Sequence, residues 1–363
     1  MNIRAKAQID LEAIKHNAKS IMSTLDSECR MLAVVKANAY GHGAIPVAKT
    51  LYDIGVRHFA VATAEEGQEL RYGGLKGEIL VLGKTPLSQR EMLVDNNLCQ
   101  ACDSYEYANA IVKDGLPKLH IKIDTGMSRL GFYCHDKAFS DICVGQILPI
   151  FKIPQIKIEG IFTHFAVADE DETFTRKQFN AFTSVTDKLI SLGYNVGLRH
   201  CCNSAATIRF PDMHLDMVRQ GIGLYGLERS APGFPFIPAM TVSARIAAIG
   251  AIEDGDTVSY GRTFKANKPI RRAVVSFGYA DGMPRLLSGK YSVSVNGKKA
   301  PILGRICMDM FMIDVSDIDC KDGDTVIIFG KNGEVSEMAD IIGTINYEIV
   351  CGITSRVPRV YEE

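Results

Sequence analysis

The stretch Leu32-Ala-Val-Val-Lys-Ala-Asn-Ala-Tyr-Gly-His-Gly43 places one lysine, Lys36, at the end of an apolar run. The residues before Lys36 are too few for a helix and too apolar for a surface loop, which predicts a buried strand ending at Lys36. Its amine then lies at the carboxyl edge of that strand. Two interpretations stay open: a structural lysine packed along apolar surface, or an amine that bonds covalently to a carbonyl group.

Composition limits the classes of protein. The chain has 363 residues and a formal net charge of -1 without a block of like charge. The length suits about two domains, and the charge gives no reason to expect nucleic acid as a partner. The apolar runs are too short to span a membrane, and the N-terminus lacks the apolar core of a secretory signal. These features predict a cytoplasmic protein without a membrane segment.

The ten cysteines have no regular spacing, which predicts reduced thiols. Cys99 and Cys102 have the spacing of a metal or redox site, but no second pair and no histidines at ligand spacing accompany them. We interpret this pair, and the adjacent Cys201 and Cys202, as buried thiols. No metal site is predicted.

Apolar strands alternate with amphipathic helical segments over the first two thirds of the chain, beginning with a helix that Asp10 is predicted to cap. Eight strands are predicted at residues 32–35, 58–62, 78–82, 98–101, 118–123, 157–163, 198–202 and 215–218. Eight alternating units predict an N-terminal (β/α)8 barrel. Short strands with turn signals follow a Pro-rich linker and predict a mostly β C-terminal domain. The predicted domains are residues 1–232 and 233–363.

Polar residues follow the predicted barrel strands at their carboxyl ends, where barrel enzymes assemble their active sites. They are Lys36, residues 124–129, Thr163 with His164, Asn203 with Ser204, and residues 219–223. Each alone could be a cap or a solvated loop residue, but together they predict one site. Loops in the position of Ser204 and of Gly221-Ile-Gly223 commonly bind phosphate. A phosphate opposite an amine suits pyridoxal phosphate, and another phosphorylated ligand is the alternative.

Ordered motifs extend this pattern over nearly the whole chain. They are Val34-Val-Lys-Ala-Asn-Ala-Tyr-Gly-His-Gly43, Lys122-Ile-Asp-Thr-Gly-Met-Ser-Arg-Leu-Gly131, Thr163-His-Phe-Ala166, Asn203-Ser-Ala-Ala206, Arg219-Gln-Gly-Ile-Gly-Leu-Tyr-Gly226, Val258-Ser-Tyr-Gly261, Gly278-Tyr-Ala-Asp-Gly282, Gly304-Arg-Ile-Cys-Met-Asp309 and Arg356-Val-Pro-Arg359. In content and order they resemble the alanine racemase family. The resemblance implies an isomerase that uses pyridoxal 5'-phosphate to interconvert L-alanine and D-alanine, as a head-to-tail homodimer with shared active sites.

The resemblance also implies roles for individual residues. Lys36 would hold the cofactor and serve one face of the α-carbon, and Tyr260 of the partner subunit would serve the other, because a racemase removes a proton from one face and returns it to the opposite one. A phenol is a weak base at neutral pH unless its anion is stabilised; His164 and Arg219 are the implied helpers. The residues implied to bind the cofactor are Lys36, Tyr40, Arg129, His164, Asn203, Ser204, Arg219, Gly221 and Ile222. Arg129 and Met308 of the partner subunit would hold the substrate carboxylate.

Two further assignments come from the resemblance. Lys122 matches a lysine that many family members carry as a carbamate, and an unmodified lysine on a barrel strand is the alternative. The residues that match the substrate corridor of the family are Val167, Asp169, Tyr279, Arg285 and Arg305.

Ser355 departs from the family pattern, because a typical alanine racemase has a tyrosine immediately before Arg356-Val-Pro-Arg359. The vancomycin-resistance serine racemases, which resemble this family, also lack that tyrosine. A hydroxymethyl group in place of a phenol leaves room beside the β-carbon of the substrate. We therefore predict that serine is also accepted, and a dedicated serine racemase of the vancomycin-resistance type is the alternative.

Three other functions would each account for part of these features. A pyridoxal-phosphate decarboxylase of the same barrel class would carry a similar lysine strand, but residues 258–261 and 307–309 favour a racemase. A non-catalytic cofactor-binding barrel would lack the β domain. A structural protein would leave the cluster of polar residues at the barrel strands unexplained.

Overall fold

The computed structural model describes residues 3–112 and 118–362, and the chain forms two compact units. The barrel unit comprises Ile14–Ala39 and Ala44–Phe236, and the β unit comprises Met1–Ala13, Tyr40–Gly43 and Ile237–Glu363. The predicted domain boundary between residues 232 and 233 stays a prediction. Within the described ranges, no helix is long and apolar enough to cross a membrane.

The barrel unit is built on eight parallel strands, all at the predicted positions. They are Arg30–Val34, His58–Val61, Glu78–Val81, Cys99–Cys102, Lys118–Asp124, Lys157–Phe162, Leu198–His200 and Met217–Gln220. Each strand lies beside the next along the chain, and Met217–Gln220 pairs with Arg30–Val34. The ring closes where the Asp216 amide donates to the Arg199 carbonyl at 3.1 Å and the Arg219 amide to the Cys202 carbonyl at 2.9 Å. The predicted barrel is therefore confirmed.

Helices cover the outside of the strands, which explains why the strands are buried along most of their length. They are Leu11–Met22 (from Ile14 onward in this unit), Ala44–Asp53, Ala64–Tyr72, Arg90–Asp95, Tyr105–Ile111, Ser140–Ile147, Glu172–Ser191 and Ser204–Arg209. Short side chains cap several of them: Thr63, Asp171 and Asn203 each accept a backbone N–H in the first turn. A short strand, Phe132–Tyr133, adds to Lys118–Asp124.

The β unit contains the predicted short strands after the linker, together with one long strand and one strand from the N-terminal part of the chain. They are Ala5–Asp10, Met240–Ile252, Thr257–Val258, Phe264–Lys265, Ile270–Val275, Ser292–Val295, Lys298–Leu303, Phe311–Asp314, Thr325–Phe329 and Arg359–Glu362, with helices Glu334–Ile342 and Asn346–Cys351. The predicted turn at Asn296 and Gly297 joins an antiparallel hairpin, and both residues have positive φ. Asp10 accepts the Ala13 amide at 2.8 Å, as its predicted role as a cap requires.

The strand Ala5–Asp10 belongs to this second sheet. It pairs antiparallel with Met240–Ile252 and parallel with Arg359–Glu362. The long strand Met240–Ile252 also pairs with Ile270–Val275 and Thr325–Phe329. The first and last strands of the described residues therefore lie in the same sheet. The prediction of a mostly β C-terminal domain does not say where the first strand pairs.

Candidate active site

Lys36 begins a turn whose backbone is left-handed. Ala37, Asn38 and Ala39 have φ of 52, 53 and 53° with ψ near 50°, and Tyr40 also has positive φ. Such residues cost on the order of 1–2 kcal/mol each when they carry a Cβ atom. Consecutive left-handed residues without glycine are therefore a strained segment that the surrounding structure must hold in place.

Three hydrogen bonds in the barrel unit hold this turn. The Ala39 amide donates to the Val35 carbonyl at 2.9 Å, and the Asn38 side-chain oxygen accepts the Ala44 amide at 2.8 Å. Glu66 Oε1 accepts the Ala37 amide at 2.7 Å. Its other oxygen, Oε2, accepts the backbone amide of residue 62. The glutamate thus ties the residue after Lys36 to the neighbouring barrel strand.

The barrel unit brings four cationic side chains around one imidazole. Burial, followed by the charges of Arg219, Arg129, Lys122 and Lys36, lowers the pKa of His164 well below its usual value. His164 is therefore neutral at physiological pH. Four of the predicted site residues, with Lys122, meet here, and their charge suits a ligand that carries phosphate or carboxylate.

Arg129 is exposed on a loop that Asp124 shapes. Asp124 Oδ1 accepts the amides of Gly126, Met127 and Ser128 at 3.0 Å, and Oδ2 accepts the amide of Arg129 at 3.1 Å. Burial raises the pKa of Asp124, but these N–H donors outweigh it and lower the pKa overall. An ionised Asp124 therefore fixes the loop that presents Arg129.

Arg219 is buried in the barrel, 3% exposed, and its terminal nitrogens are saturated. Nη1 donates to His200 Nδ1 and to the His200 carbonyl, both at 3.0 Å. Nη2 donates to the carbonyls of Thr163 and Cys201 and to His164 Nδ1, at 2.7, 2.9 and 3.1 Å. Among the described residues, no acceptor is recorded for Nε–H, the remaining donor of the guanidinium. Burial lowers the pKa of Arg219 to about 10, so the side chain stays cationic.

The predicted phosphate corner is also formed within the barrel unit. Ser204 Oγ accepts the amides of Gly221 and Gly223 at 3.1 and 3.2 Å. Both lone pairs of the oxygen are thereby used, which leaves the hydroxyl hydrogen as the group with which Ser204 can bind an acceptor. A Cβ atom on Gly223 would lie 3.4 Å from Ser204 Oγ and 3.2 Å from the Phe236 ring. Asn203 caps the helix that begins at Ser204, and Ile222 is buried.

The β unit carries the other predicted residues, beginning with Tyr40. Burial raises the pKa of Tyr40, so its phenol is a hydrogen-bond donor. Its ring lies 5.8 Å from the ring of Tyr347. Next to Tyr40, the Gly41 carbonyl accepts from Arg359 Nε at 2.9 Å.

Ser355 is exposed in a loop that is pinned on both sides. Arg359 donates to the carbonyls of Ile353, Thr354 and Val357 at 2.6, 2.6 and 2.8 Å. Thr354 donates through its hydroxyl to the Ala280 carbonyl at 2.9 Å. The backbone that carries Ser355 is therefore fixed, and a change at this position alters the side chain without freeing the loop.

Tyr260 and Met308 lie together on the β unit and are 68% and 52% exposed. They line a shallow pocket of about 380 Å³ with Ser259, Cys307, Asp309 and Met310. Tyr260 stands between two residues of positive φ, Ser259 and Gly261, and the Ser259 hydroxyl donates to the Arg305 carbonyl at 2.6 Å. The tyrosine is thus presented outward on a braced turn.

Residues that support the site carry little local signal in the sequence. Glu66 stands at the third position of a helix that Thr63 caps, a pattern that predicts a helix start but not a bond to the turn after Lys36. Asp124 lies in a quoted motif without a role of its own. His120 and His200 were hidden in apolar strands, where an isolated histidine is commonly a satisfied core residue.

Comparison with known proteins agrees with these motifs. Residues 9–229 match the family model of the alanine racemase N-terminal domain, and residues 239–361 match that of the alanine racemase C-terminal domain. A protein named alanine racemase from Clostridium perfringens is 41% identical over 98% of this chain and 95% of its own length. Another from Desulforamulus reducens is 43% identical over 98% of each chain.

Solved structures show the same relationship. Alanine racemase of Clostridium difficile 630 has 38% identity and a TM-score of 0.92, over 99% of this chain and 96% of that one. Alanine racemase from Bacillus anthracis with bound L-Ala-P has 34% identity and a TM-score of 0.90, over 99% and 95%. The predicted enzyme class, an amino-acid racemase and thus an isomerase, is confirmed, and the chain belongs to the alanine racemase family.

Proposed function

We propose that this protein interconverts L-alanine and D-alanine with pyridoxal 5'-phosphate as its cofactor. The observation that carries the proposal is the cationic cluster of Lys36, Arg129 and Arg219 around His164. This cluster adjoins the phosphate corner along the chain, since Arg219 precedes Gly221 by two residues. Family membership supports the substrate. The cytoplasmic location stays a prediction.

The residues present fit the cofactor. The Ser204 hydroxyl has both lone pairs occupied, so its hydrogen suits a phosphate oxygen, and the buried backbone of Gly221 and Ile222 adds a close approach without side-chain crowding. Tyr40 is a phenol donor for the same phosphate. The Nε–H of Arg219 suits the pyridine nitrogen, and Arg129 the phenolic oxygen. Pyridoxal phosphate, when bound, supplies a carbonyl for the Lys36 amine and a ring that takes up electrons from the α-carbon.

We assign the two proton-transfer groups to Lys36 and Tyr260 of the partner subunit. Each group takes or returns the α-proton on its own face of the substrate, since one fixed base does not reach both faces. The 68% exposure of Tyr260 in a single chain supports its service to a second chain. A head-to-tail homodimer is therefore part of the proposal.

The neutral His164 and the cationic Arg219 support this chemistry. Arg219 donates to His164 Nδ1, so the imidazole carries its proton on Nε2 and offers it to a phenolate. A guanidinium at the pyridine nitrogen disfavours protonation there, because two positive charges would adjoin. With the cofactor bound, Arg219 in this position would favour prompt return of a proton to the α-carbon over other outcomes.

Substrate recognition is assigned to groups from both units. Arg129 and the backbone N–H of Met308 of the partner subunit bind the α-carboxylate. The residues assigned to the corridor are Val167, Asp169, Tyr279, Arg285 and Arg305.

Lys122 is proposed to carry a carbamate. Burial, with Arg129 and Arg219 adding to it, lowers the pKa of Lys122 to about 8, so a fraction of the amine is neutral and nucleophilic at neutral pH. Nζ adds to carbon dioxide, an N–C bond forms and a proton is released. The anion then adjoins both arginines and orients Arg129. A carbamate signal at Lys122 after growth with ¹³C-bicarbonate supports the modification, and a bare ammonium in electron density contradicts it.

Ser355 is proposed to widen the pocket, so that serine is accepted beside alanine. The fixed loop supports this, because its pinned backbone cannot move inward to fill the space that a small side chain leaves. A dedicated serine racemase is the second candidate on the same observation.

Chiral analysis of the products from L-alanine and from L-serine tests the function. We expect D-alanine from the enzyme loaded with pyridoxal phosphate, and D-serine at a lower rate. Serine turnover above alanine turnover would select the second candidate, and no racemisation of either amino acid would refute the proposal.

A further inference from the structure

A line of polar side chains crosses the interior of the barrel from Arg219 to the amino ends of the strands. Arg219 Nη1 lies 3.0 Å from His200 Nδ1, and His200 Nε2 lies 3.0 Å from His120 Nδ1. All three are buried, with exposures of 3%, 0% and 6%. Barrel interiors are usually filled by branched apolar side chains, so this line calls for an explanation.

The hydrogen-bond chemistry fixes where each proton lies. A guanidinium only donates, so His200 Nδ1 is an acceptor and carries no proton. Neutral His200 must then be protonated at Nε2. That N–H points at His120 Nδ1, which is in turn an acceptor, so neutral His120 is protonated at Nε2. Every N–H in the line is directed away from Arg219, and the reverse order is impossible because arginine has no acceptor.

Both imidazoles are held neutral by their surroundings. Burial, followed by the charges of His58 and Arg219, lowers the pKa of His120 to about 3. Burial, followed by Arg219 and His120, lowers the pKa of His200 well below its usual value. A proton added to His200 would also place a second cation next to Arg219.

Packing holds the rings in this arrangement. The His200 ring stacks on Phe162 with centroids 4.9 Å apart and planes 5° apart, and the His120 ring meets His200 edge-on at 5.2 Å. A Cβ atom on Gly160 would lie 2.5 Å from His120 Nδ1, so only glycine leaves room for this ring. His120 also borders a pocket of about 420 Å³ at the amino ends of the strands, with Glu78 and Glu159.

We propose that His120 is a positioning residue for Arg219: its Nδ1 acceptor fixes the tautomer of His200, and that tautomer keeps a lone pair aimed at the guanidinium. His120 does not touch the reacting atoms. It acts through His200, which holds one terminal nitrogen of Arg219 while His164 and two carbonyls hold the other. With both terminal nitrogens fixed, Nε–H keeps a single direction. The catalytic consequence rests on the proposed function, whereas the tautomer assignment stands without it.

Nuclear magnetic resonance of the full-length protein with ¹⁵N-labelled histidine tests the assignment directly, without a mutation. We expect His200 and His120 both to be neutral and protonated at Nε2, with a through-hydrogen-bond coupling between His200 Nε2 and His120 Nδ1. The same result is expected with and without pyridoxal phosphate. A proton on Nδ1 of either histidine would overturn the proposal.

Two variants test the consequence for the enzyme. His120→Asn keeps an acceptor near the Nδ1 position, and His120→Leu removes it. We expect His120→Leu to lower kcat about 10- to 100-fold, as loss of a supporting shell does around other sites, and to shift the visible absorbance of the bound cofactor. KM for alanine should change little. His120→Asn should restore both properties to near the native values.

The outcomes separate the two proposals. Equal loss in His120→Asn and His120→Leu, with native His200 signals in both, would show a role in packing alone and overturn the positioning role. If His120→Leu does not fold, the spectrum of the native protein still decides the tautomer assignment. The activity of His120→Asn then decides the positioning role. A native protein without racemase activity but with the expected couplings would refute the proposed function and leave the tautomer assignment intact.

Discussion

The residues assigned to the active site behave differently in the two units. On the barrel unit, Arg219 is 3% exposed and His164, Asp124 and Ser204 have their partners within the unit. On the β unit, Tyr260 and Met308 are 68% and 52% exposed on a braced surface. These polar groups of the barrel unit thus have partners inside that unit, whereas Tyr260 and Met308 of the β unit are exposed to solvent. This difference supports a site completed by a second chain.

Loss of the barrel amine should have the largest effect. We expect Lys36→Ala to lower kcat/KM for alanine by more than about 10⁴-fold, because the covalent anchor and one base are lost together. The cofactor should no longer be retained covalently after borohydride reduction, and Lys49→Ala, at an exposed position, is the control. Substantial activity in Lys36→Ala would contradict the assignment of Lys36 as covalent anchor and base.

Loss of the exposed phenol should have the next largest effect. We expect Tyr260→Phe to lower racemisation about 10²- to 10⁴-fold, the range for a general acid–base group. Exchange of the α-hydrogen with deuterium from solvent should persist for the one enantiomer that Lys36 deprotonates. Tyr72→Phe, at an 81% exposed position, is the control. Equal loss of exchange from both enantiomers would contradict separate bases.

The left-handed turn offers a smaller test of the barrel site. We expect Glu66→Ala to lower kcat/KM about tenfold, as for loss of a supporting residue, because the strained turn after Lys36 loses an anchor. Adding Ala37→Gly should recover part of the activity, since glycine adopts positive φ without the steric cost. The control is Glu65→Ala on the same helix. If adding Ala37→Gly does not raise kcat/KM, Glu66 has a role other than holding the turn.

Substrate selection should show the smallest effect. We expect Ser355→Tyr to lower the ratio of kcat/KM for serine to that for alanine by about tenfold, because pocket-filling groups discriminate on this scale. Ser355→Ala should leave the space open and change the ratio less. A ratio that Ser355→Tyr does not change would refute the role of this position in the pocket.

The fold could be predicted because its signals are local. Eight apolar runs separated by amphipathic segments were enough to place every barrel strand, and the Asn296-Gly297 pair located its hairpin. The pairing of Ala5–Asp10 with strands more than 200 residues away leaves no local signal. It depends on partners that the strand's own sequence does not specify.

The candidate site was predictable only in part for a similar reason. Lys36 stands out because a charged residue ends an apolar run, but Ala37 and Ala39 give no hint of a left-handed turn, which their own preferences oppose. The turn exists because Glu66 accepts the Ala37 amide and the Asn38 side chain accepts the Ala44 amide. The line from Arg219 to His120 likewise joins three strands and becomes visible only when the barrel closes.

Subunit complementation tests the shared site most directly. We expect the Lys36→Ala and Tyr260→Phe proteins each to be inactive or nearly so; the two are unfolded together, refolded and loaded with pyridoxal phosphate. In a symmetric dimer each mixed pair holds one site with both groups intact, so the mixture should regain about one quarter of the native specific activity. Activity no higher than the sum of the separate variants would contradict a site made from two chains.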